Sequence, residues 1–272
     1  MLEGAVLKKI GITLVILTII CIAAGNYFWK EKIKSVTSQA VESNKTEKNT
    51  LTQNKSNSLI DWMKFKNQDR NELTIGALGS SVTLGSGASN KENNWLGMLT
   101  EYINSQVTPL SVHSVNKGFG GYTTSQLISE GKIEELIKTN PDIVLFELCL
   151  INNFSQGITI DQTTIDIDTI VQKIKTESPN TLVILQNANE INRSEKNKLG
   201  LTYKDYNTSI KKFVEQKDYN FYDIYNGYVK KIDEKNKNIT EFLSDKIHPN
   251  DEGYKIWFEI LKDDVSQGQL KI

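Results

Sequence analysis

The chain reads as an α/β domain, a mainly parallel sheet covered by helices on both faces, preceded by an apolar N-terminal segment and a polar stretch. Three observations predict this. From Leu59 onward, short apolar runs alternate with stretches of helical periodicity about five times, the pattern of strand–helix–strand units. The run Asp142–Leu150 is almost continuously apolar, as a strand buried on both faces of a parallel sheet should be. The length, 272 residues, allows one domain of ordinary size plus extra segments.

Composition narrows the function classes. There are 32 Lys and Arg against 33 Asp and Glu, with no basic patch, so no nucleic-acid partner is expected. Cys21 and Cys149 lie in distant apolar runs and imply no disulfide framework. No Cys/His cluster offers zinc-ligand spacing, so neither a metal nor another cofactor is expected.

At the N-terminus, Lys8-Lys9 precede an uncharged run from Ile10 to Gly25, followed by Tyr27, Phe28 and Trp29 and then by Lys30, Lys32 and Lys34. An apolar core edged by aromatic residues and lysines is the pattern of a transmembrane helix meeting the interface; the aromatics extend it toward the roughly 20 residues a span needs. The competing reading is a cleaved signal peptide with Ala23-Ala24-Gly25 as its small-residue site. A lipoprotein site at Cys21 is disfavoured by Ile20 before it. Lysines flank both ends, so charge does not set the orientation; a large following domain translocates regardless, which favours the domain outside. Residues 30–58 are rich in Lys, Glu, Ser, Thr, Asn and Gln and cannot bury enough surface to fold alone, so they read as a solvated stalk. The expected organisation is therefore 1–29 membrane anchor or signal peptide, 30–58 stalk, and 59–272 folded domain.

Within the domain, Leu73–Leu78 is a strand candidate ending in Gly79. Trp95, Leu96, Leu99 and Ile103 share one helix face. Val112–Val115 is a second strand, and Leu127 to Ile137 another helix. Asp142–Leu150 is the third strand, Ile165–Ile174 a helix and Thr181–Leu185 a strand. Tyr203–Val214 is a helix, Phe221–Tyr225 the fifth strand, and Glu252–Leu261 the last helix. In such sheets ligands sit beyond the C-terminal ends of the strands, which directs attention to the residues that follow each one.

After the first strand comes Gly79-Ser80-Ser81-Val82-Thr83-Leu84-Gly85, a Ser on a Gly-bearing turn into a helix; the phosphate-binding glycine motifs are absent here. After the second comes Gly118-Phe119-Gly120-Gly121, where glycine lets a backbone N–H approach a ligand closely. After the third comes Asn152-Asn153, where an amide NH2 can face a developing oxyanion. Near the C-terminus, Asp245 precedes His248 by three residues, so one turn can bring carboxylate and imidazole together, as a general base requires. Each signal alone is weak, since Gly, Ser and Asn are ordinary turn residues. The other histidine, His113, sits inside a strand pattern without a neighbouring acid and reads as structural. Asp223 is a competing acid better suited to a cap or turn.

Taken together, the blocks at Gly79-Ser80-Ser81, Gly121, Asn152-Asn153 and Asp245–His248 resemble the SGNH hydrolases, also called the GDSL lipases and esterases, over residues 72–262. The resemblance implies a three-layer α/β/α, flavodoxin-like fold with a five-stranded sheet. It implies that Ser81 is the nucleophile and that Asp245 and His248 are acid and base. The oxyanion hole would comprise the Ser81 and Gly121 N–H groups and the Asn152 side chain. Trp95 and Leu99 stand where the family often has Trp and Leu. Ser80 departs from the usual Asp, Leu150 from Gly and Asn153 from Asp; none of these removes a catalytic group.

The expected function is a membrane-tethered, extracytoplasmic serine esterase acting on small acyl esters, acetyl above all, of cell-surface carbohydrate. Alternatives are a lipase, lysophospholipase or thioesterase for longer acyl chains, an O-acetyltransferase with the same triad, or a binding module on a retired hydrolase fold.

Overall fold

The computed structural model describes residues 58–66 and 69–271. The expected anchor and nearly all of the expected stalk lie outside the described residues, as does Cys21. Among the described residues no helix is long and apolar enough to cross a membrane.

Five strands form one sheet: β1 (Glu72–Gly79), β2 (Ser111–Gly118), β3 (Ile143–Glu147), β4 (Leu182–Gln186) and β5 (Asn220–Tyr222). Their spatial order is β2-β1-β3-β4-β5, and every neighbouring pair is parallel. The register pairs Gly79 with Gly118 and Leu78 with Phe146, so the C-terminal ends of β2, β1 and β3 lie side by side. This is the doubly wound order in which the chain leaves β1 toward one edge and returns to β3 on the other side, opening a crevice between the ends of β1 and β3.

The helices are α1 (Leu59–Lys66), α2 (Ser81–Leu84), α3 (Trp95–Val107), α4 (Thr124–Ser129), α5 (Lys132–Ile137), α6 (Leu150–Gln156), α7 (Ile160–Glu177), α8 (Tyr203–Gln216), α9 (Ile224–Lys235) and α10 (Asp251–Gln267). Helices α1, α3, α9 and α10 pack together as one layer, and α4, α5, α7 and α8 as the other. All five residues of β3 are buried, as its apolar sequence required for the middle strand of a three-layer sandwich. One face is anchored by Trp95 of α3 stacked on Trp257 of α10, their ring centroids 5.8 Å apart and both fully buried.

The predicted elements recur with three local corrections. The helix expected from Leu127 to Ile137 is two helices, because Gly131 adopts φ 67° and turns the chain between α4 and α5. The strand expected over Phe221–Tyr225 stops at Tyr222, because Asp223 caps α9 by accepting the Asn226 N–H. That is the cap role preferred for Asp223, whose carboxylate also pairs with Lys211 at 2.8 Å. The apolar run Asp142–Leu150 is strand only to Glu147; Cys149 takes φ 53° and Leu150 begins α6.

Candidate active site

Ser81 stands where the end of β1 turns into α2. Ser80 is extended (φ −97°, ψ −156°), and Gly85 ends the turn of helix at φ 99°, its N–H donating to the Ser81 carbonyl. Ser81 is the first helical residue, so its own N–H has no intrahelical carbonyl to bond and is left for a ligand. The turn is clamped from behind. The Val82 carbonyl accepts from Trp95 Nε1 and from the Tyr254 hydroxyl, both at 3.2 Å, and the same hydroxyl lies 2.8 Å from the Ser86 carbonyl.

The Asp245–His248 turn meets Ser81 from the opposite end of the chain. His248 Nε2 is 2.9 Å from Ser81 Oγ, and Nδ1 is 2.7 Å from Asp245 Oδ2. The other carboxylate oxygen, Oδ1, accepts the backbone N–H groups of Ile247 (2.6 Å) and His248 (2.8 Å). Partial burial works to raise the Asp245 pKa, but the bonds from the His248 ring and these two amides prevail and hold it below the ordinary range. The turn is fixed externally as well: Asn189 Nδ2 donates to the Ile247 carbonyl and the Asn192 N–H to the Lys246 carbonyl, both at 2.9 Å. Gly87 (φ 95°) packs so closely beneath that a Cβ there would lie 2.3 Å from the Pro249 carbonyl oxygen and 3.1 Å from His248 Cβ.

The remaining sequence-predicted residues line the neighbouring strand ends. Beyond β2, the Phe119 N–H donates to the Gly79 carbonyl at 2.9 Å, holding the glycine turn against the Ser81 loop. Gly121 has φ 78°, with open space where a side chain would be. Asn152, on α6 beyond β3, donates one Nδ2 hydrogen to the Tyr122 carbonyl at 2.8 Å, so this amide and the Gly121 turn are tied together. The second Nδ2 hydrogen remains available. His113 stands apart on edge strand β2, exposed, with Ser111 Oγ at 3.4 Å and Glu72 Oε2 at 3.9 Å. It therefore has an acidic neighbour after all, from β1, but no contact with this site. Cys149 is a buried free thiol, its pKa raised by desolvation and then by Glu147. Among the described residues no group of three or more His, Cys, Asp or Glu is arranged to hold a metal ion.

Three residues here were not singled out from the sequence: Tyr254, Asn189 and Glu147. The first two look like ordinary members of a helix and a loop until their partners across the fold are known. Glu147 did carry a signal, a carboxylate set inside an apolar strand.

A hydrogen-bonded serine, histidine and aspartate beside the strand ends of a parallel α/β/α sandwich is an arrangement that serine hydrolases use. Residues 77–256 match the GDSL-like lipase/acylhydrolase family, and the chain belongs to that family of carboxylic ester hydrolases, the SGNH hydrolases. Solved structures share the fold. A two-domain esterase active on acetylated mannans is 19% identical, with a TM-score of 0.61 over 74% of this chain; the chain spans 50% of that protein's length. An acetylxylan esterase from Geobacillus stearothermophilus, solved as a catalytic mutant, is 17% identical with a TM-score of 0.58, over 74% of this chain and 97% of that one. A lipolytic protein of the G-D-S-L family from Veillonella parvula is 19% identical with a TM-score of 0.55, over 71% and 98%. No curated protein sequence matches the chain.

Proposed function

We propose that the chain hydrolyses carboxylic esters with Ser81 as nucleophile, His248 as general base and acid, and Asp245 as the group that orients the imidazole. The observation that supports this reading is the continuous relay Ser81 Oγ–His248 Nε2 (2.9 Å) and His248 Nδ1–Asp245 Oδ2 (2.7 Å). An acceptor at Asp245 keeps the proton on Nδ1, which leaves the Nε2 lone pair facing the serine hydroxyl. Nε2 takes the Ser81 hydroxyl proton as Ser81 Oγ bonds to the ester carbonyl carbon. The Ser81 and Gly121 N–H groups and the Asn152 amide take up the charge on the carbonyl oxygen. His248 then protonates the departing alcohol, and water, activated the same way, cleaves the acyl-enzyme.

The substrates we infer are small acyl esters, acetyl above all, carried by cell-surface carbohydrate. Two things support this: the structural neighbours named for acetylated mannans and xylan, and the anchor-like segment before residue 30, which would tether a domain spanning 59–272 on the outer side of a membrane by a stalk over 30–58. The test is a panel of nitrophenyl esters of increasing acyl length, together with acetylated oligosaccharides, on the full chain and on Ser81→Ala. Acetyl-ester turnover falling on the order of 10⁴- to 10⁶-fold in the variant is expected. Undiminished turnover in Ser81→Ala would remove the nucleophile assignment, and a preference for long acyl chains would replace the carbohydrate reading with a lipase one.

A further inference from the structure

Beneath the relay lies a carboxyl group that has no place in the reaction steps. Glu147 closes β3 and is completely buried. Burying a carboxyl is costly unless its oxygens are bonded, so its partners indicate what it holds. Oε2 accepts the backbone N–H of Ser80, the residue before the nucleophile, at 2.7 Å, and the Thr83 hydroxyl at 3.3 Å. Oε1 accepts the backbone N–H of Cys149 at 2.8 Å. Burial raises the pKa of this carboxyl, opposed by these same bonds.

The two amides belong to different halves of the site. Ser80 leads directly into Ser81, whose oxygen and N–H face the substrate. Cys149 caps α6 in the left-handed region (φ 53°, ψ 24°), a conformation that strains a non-glycine residue and persists only when its surroundings impose it. Its carbonyl accepts the N–H groups of Asn152 (3.1 Å) and Asn153 (3.0 Å), so the Cys149 backbone sets where the Asn152 side chain starts. Gly79 supplies the space: a Cβ there would lie 2.7 Å from Glu147 Oε2 and 2.3 Å from Thr83 Oγ1. The sequence thus keeps a glycine where the carboxyl crosses from β3 to the end of β1.

We propose that Glu147 is a positioning residue for the hydrolysis: by gripping the amides of Ser80 and Cys149 with its two oxygens, it fixes the separation between the Ser81 nucleophile and the Asn152 oxyanion donor. This rests on the roles given above to Ser81 and Asn152. An oxyanion site works only when its donors are set before the reaction, and a displacement of about 1 Å can cost on the order of 100-fold.

The test is Glu147→Gln in the full chain, beside wild type and Ser81→Ala. A glutamine keeps the shape but turns an NH2 against one of the two amides, so donor faces donor and one half of the site is released. The expected result is a kcat lower by about 10- to 100-fold with KM within about threefold. Fluorophosphonate labelling of Ser81, counted per folded molecule, should slow in parallel. A role confined to stability would lower the melting temperature and leave labelling and kcat of the folded fraction unchanged, and that result overturns the proposal. If the glutamine protein does not fold, Glu147→Asp answers the same question. It keeps the carboxylate but is one methylene shorter and cannot span both amides, so labelling should slow; wild-type labelling and kcat overturn the proposal there too. Turnover lost in Ser81→Ala but intact in Glu147→Gln refutes positioning alone. Turnover surviving Ser81→Ala refutes the nucleophile assignment and the positioning role with it.

Discussion

Replacing Asp245 by Asn isolates the contribution of the carboxylate while preserving its size. In the native turn Oδ1 accepts two backbone N–H groups, at 2.6 and 2.8 Å, and Oδ2 accepts from His248 Nδ1 at 2.7 Å. An amide can keep only one of these arrangements. With its oxygen toward the backbone, its NH2 faces Nδ1, which must then accept, and the ring proton moves to Nε2. The imidazole now donates to Ser81 Oγ and can no longer deprotonate it. With the amide reversed, NH2 points at two backbone donors and both bonds are lost, at roughly 1–3 kcal/mol for each donor to the extent that water does not replace them. The first orientation wins, and it is the wrong tautomer for catalysis. The analogous change in serine proteases lowers kcat about 10⁴-fold, equivalent to about 5 kcal/mol in the barrier, and the same order is expected here. The assay is kcat on nitrophenyl acetate near neutral pH, with thermal unfolding in parallel. The carboxyl of Asp245 is held below its ordinary range, so it contributes stability that is present above the unfolded pKa and is lost as pH falls through the folded one. Asp245→Asn should flatten that acid limb. A variant keeping more than about a tenth of wild-type kcat would show that the imidazole does not need Asp245 to hold its tautomer, and the relay would not be the engine of the reaction.

Asn152→Ala removes the proposed oxyanion donor and should lower kcat by roughly 10²–10³ with a much smaller change in KM, measured on the same ester. Tyr254→Phe deletes the hydroxyl that reaches the Val82 and Ser86 carbonyls; denaturant unfolding should show a loss of about 1 kcal/mol, because the part-buried Ser86 carbonyl loses this donor while Val82 keeps Trp95 Nε1. Asp264 is a different case. Burial first, then the nearby carboxylates of Asp263 and Asp223, push its pKa up to about 7. The native state therefore holds a proton that the unfolded chain gives up near pH 4, and stability falls as pH rises between those values, on the order of 2–4 kcal/mol in all. Asp264→Asn should remove that slope, so urea unfolding at pH 5 and pH 8 should differ less in the variant than in wild type; an unchanged difference would assign the slope to another group.

The sequence carried the site further than it carried the elements around it. The D-x-x-H spacing is local, and a turn of that length can close in few ways, so the contact between Asp245 and His248 was legible before any fold was known. Strand order pointed to the loops that hold Ser81, Gly121 and Asn152, because residues after consecutive parallel strands emerge at the same edge of the sheet; the family resemblance singled those residues out within the loops. Helix ends were harder. Gly131 within an apolar periodicity broke one helix into two, and Asp223 stopped a strand one residue after Tyr222; both are single residues whose backbone or capping behaviour outweighed the pattern around them. Glu147 stood out as a carboxylate in an apolar strand, but what it holds did not: like Asn189 and Tyr254, it acts on a backbone group 58 to 172 positions away in the chain, and nothing in a local window records what lies opposite.

The departures from the family blocks follow the same logic. Asn153 stands where the family has Asp, and its surroundings account for the change. Its Oδ1 accepts the Thr124 N–H at 3.1 Å, and its Nδ2 donates to the hydroxyls of Thr124 (2.9 Å) and Thr163 (3.0 Å). Both hydroxyls already spend their own protons elsewhere, Thr124 on the Asp166 carboxylate at 2.8 Å and Thr163 on the Thr159 carbonyl at 2.9 Å. What they present to position 153 is lone pairs, and only a donor satisfies them. A carboxylate there would face two acceptors and lie one hydroxyl away from Asp166, within a fully buried pocket where like charges repel strongly. The amide suits a network in which the acid has been supplied by α7 instead. Asn153 therefore leaves α6 anchored to the first residue of α4, and with it the approach of Asn152 to the carbonyl of Tyr122.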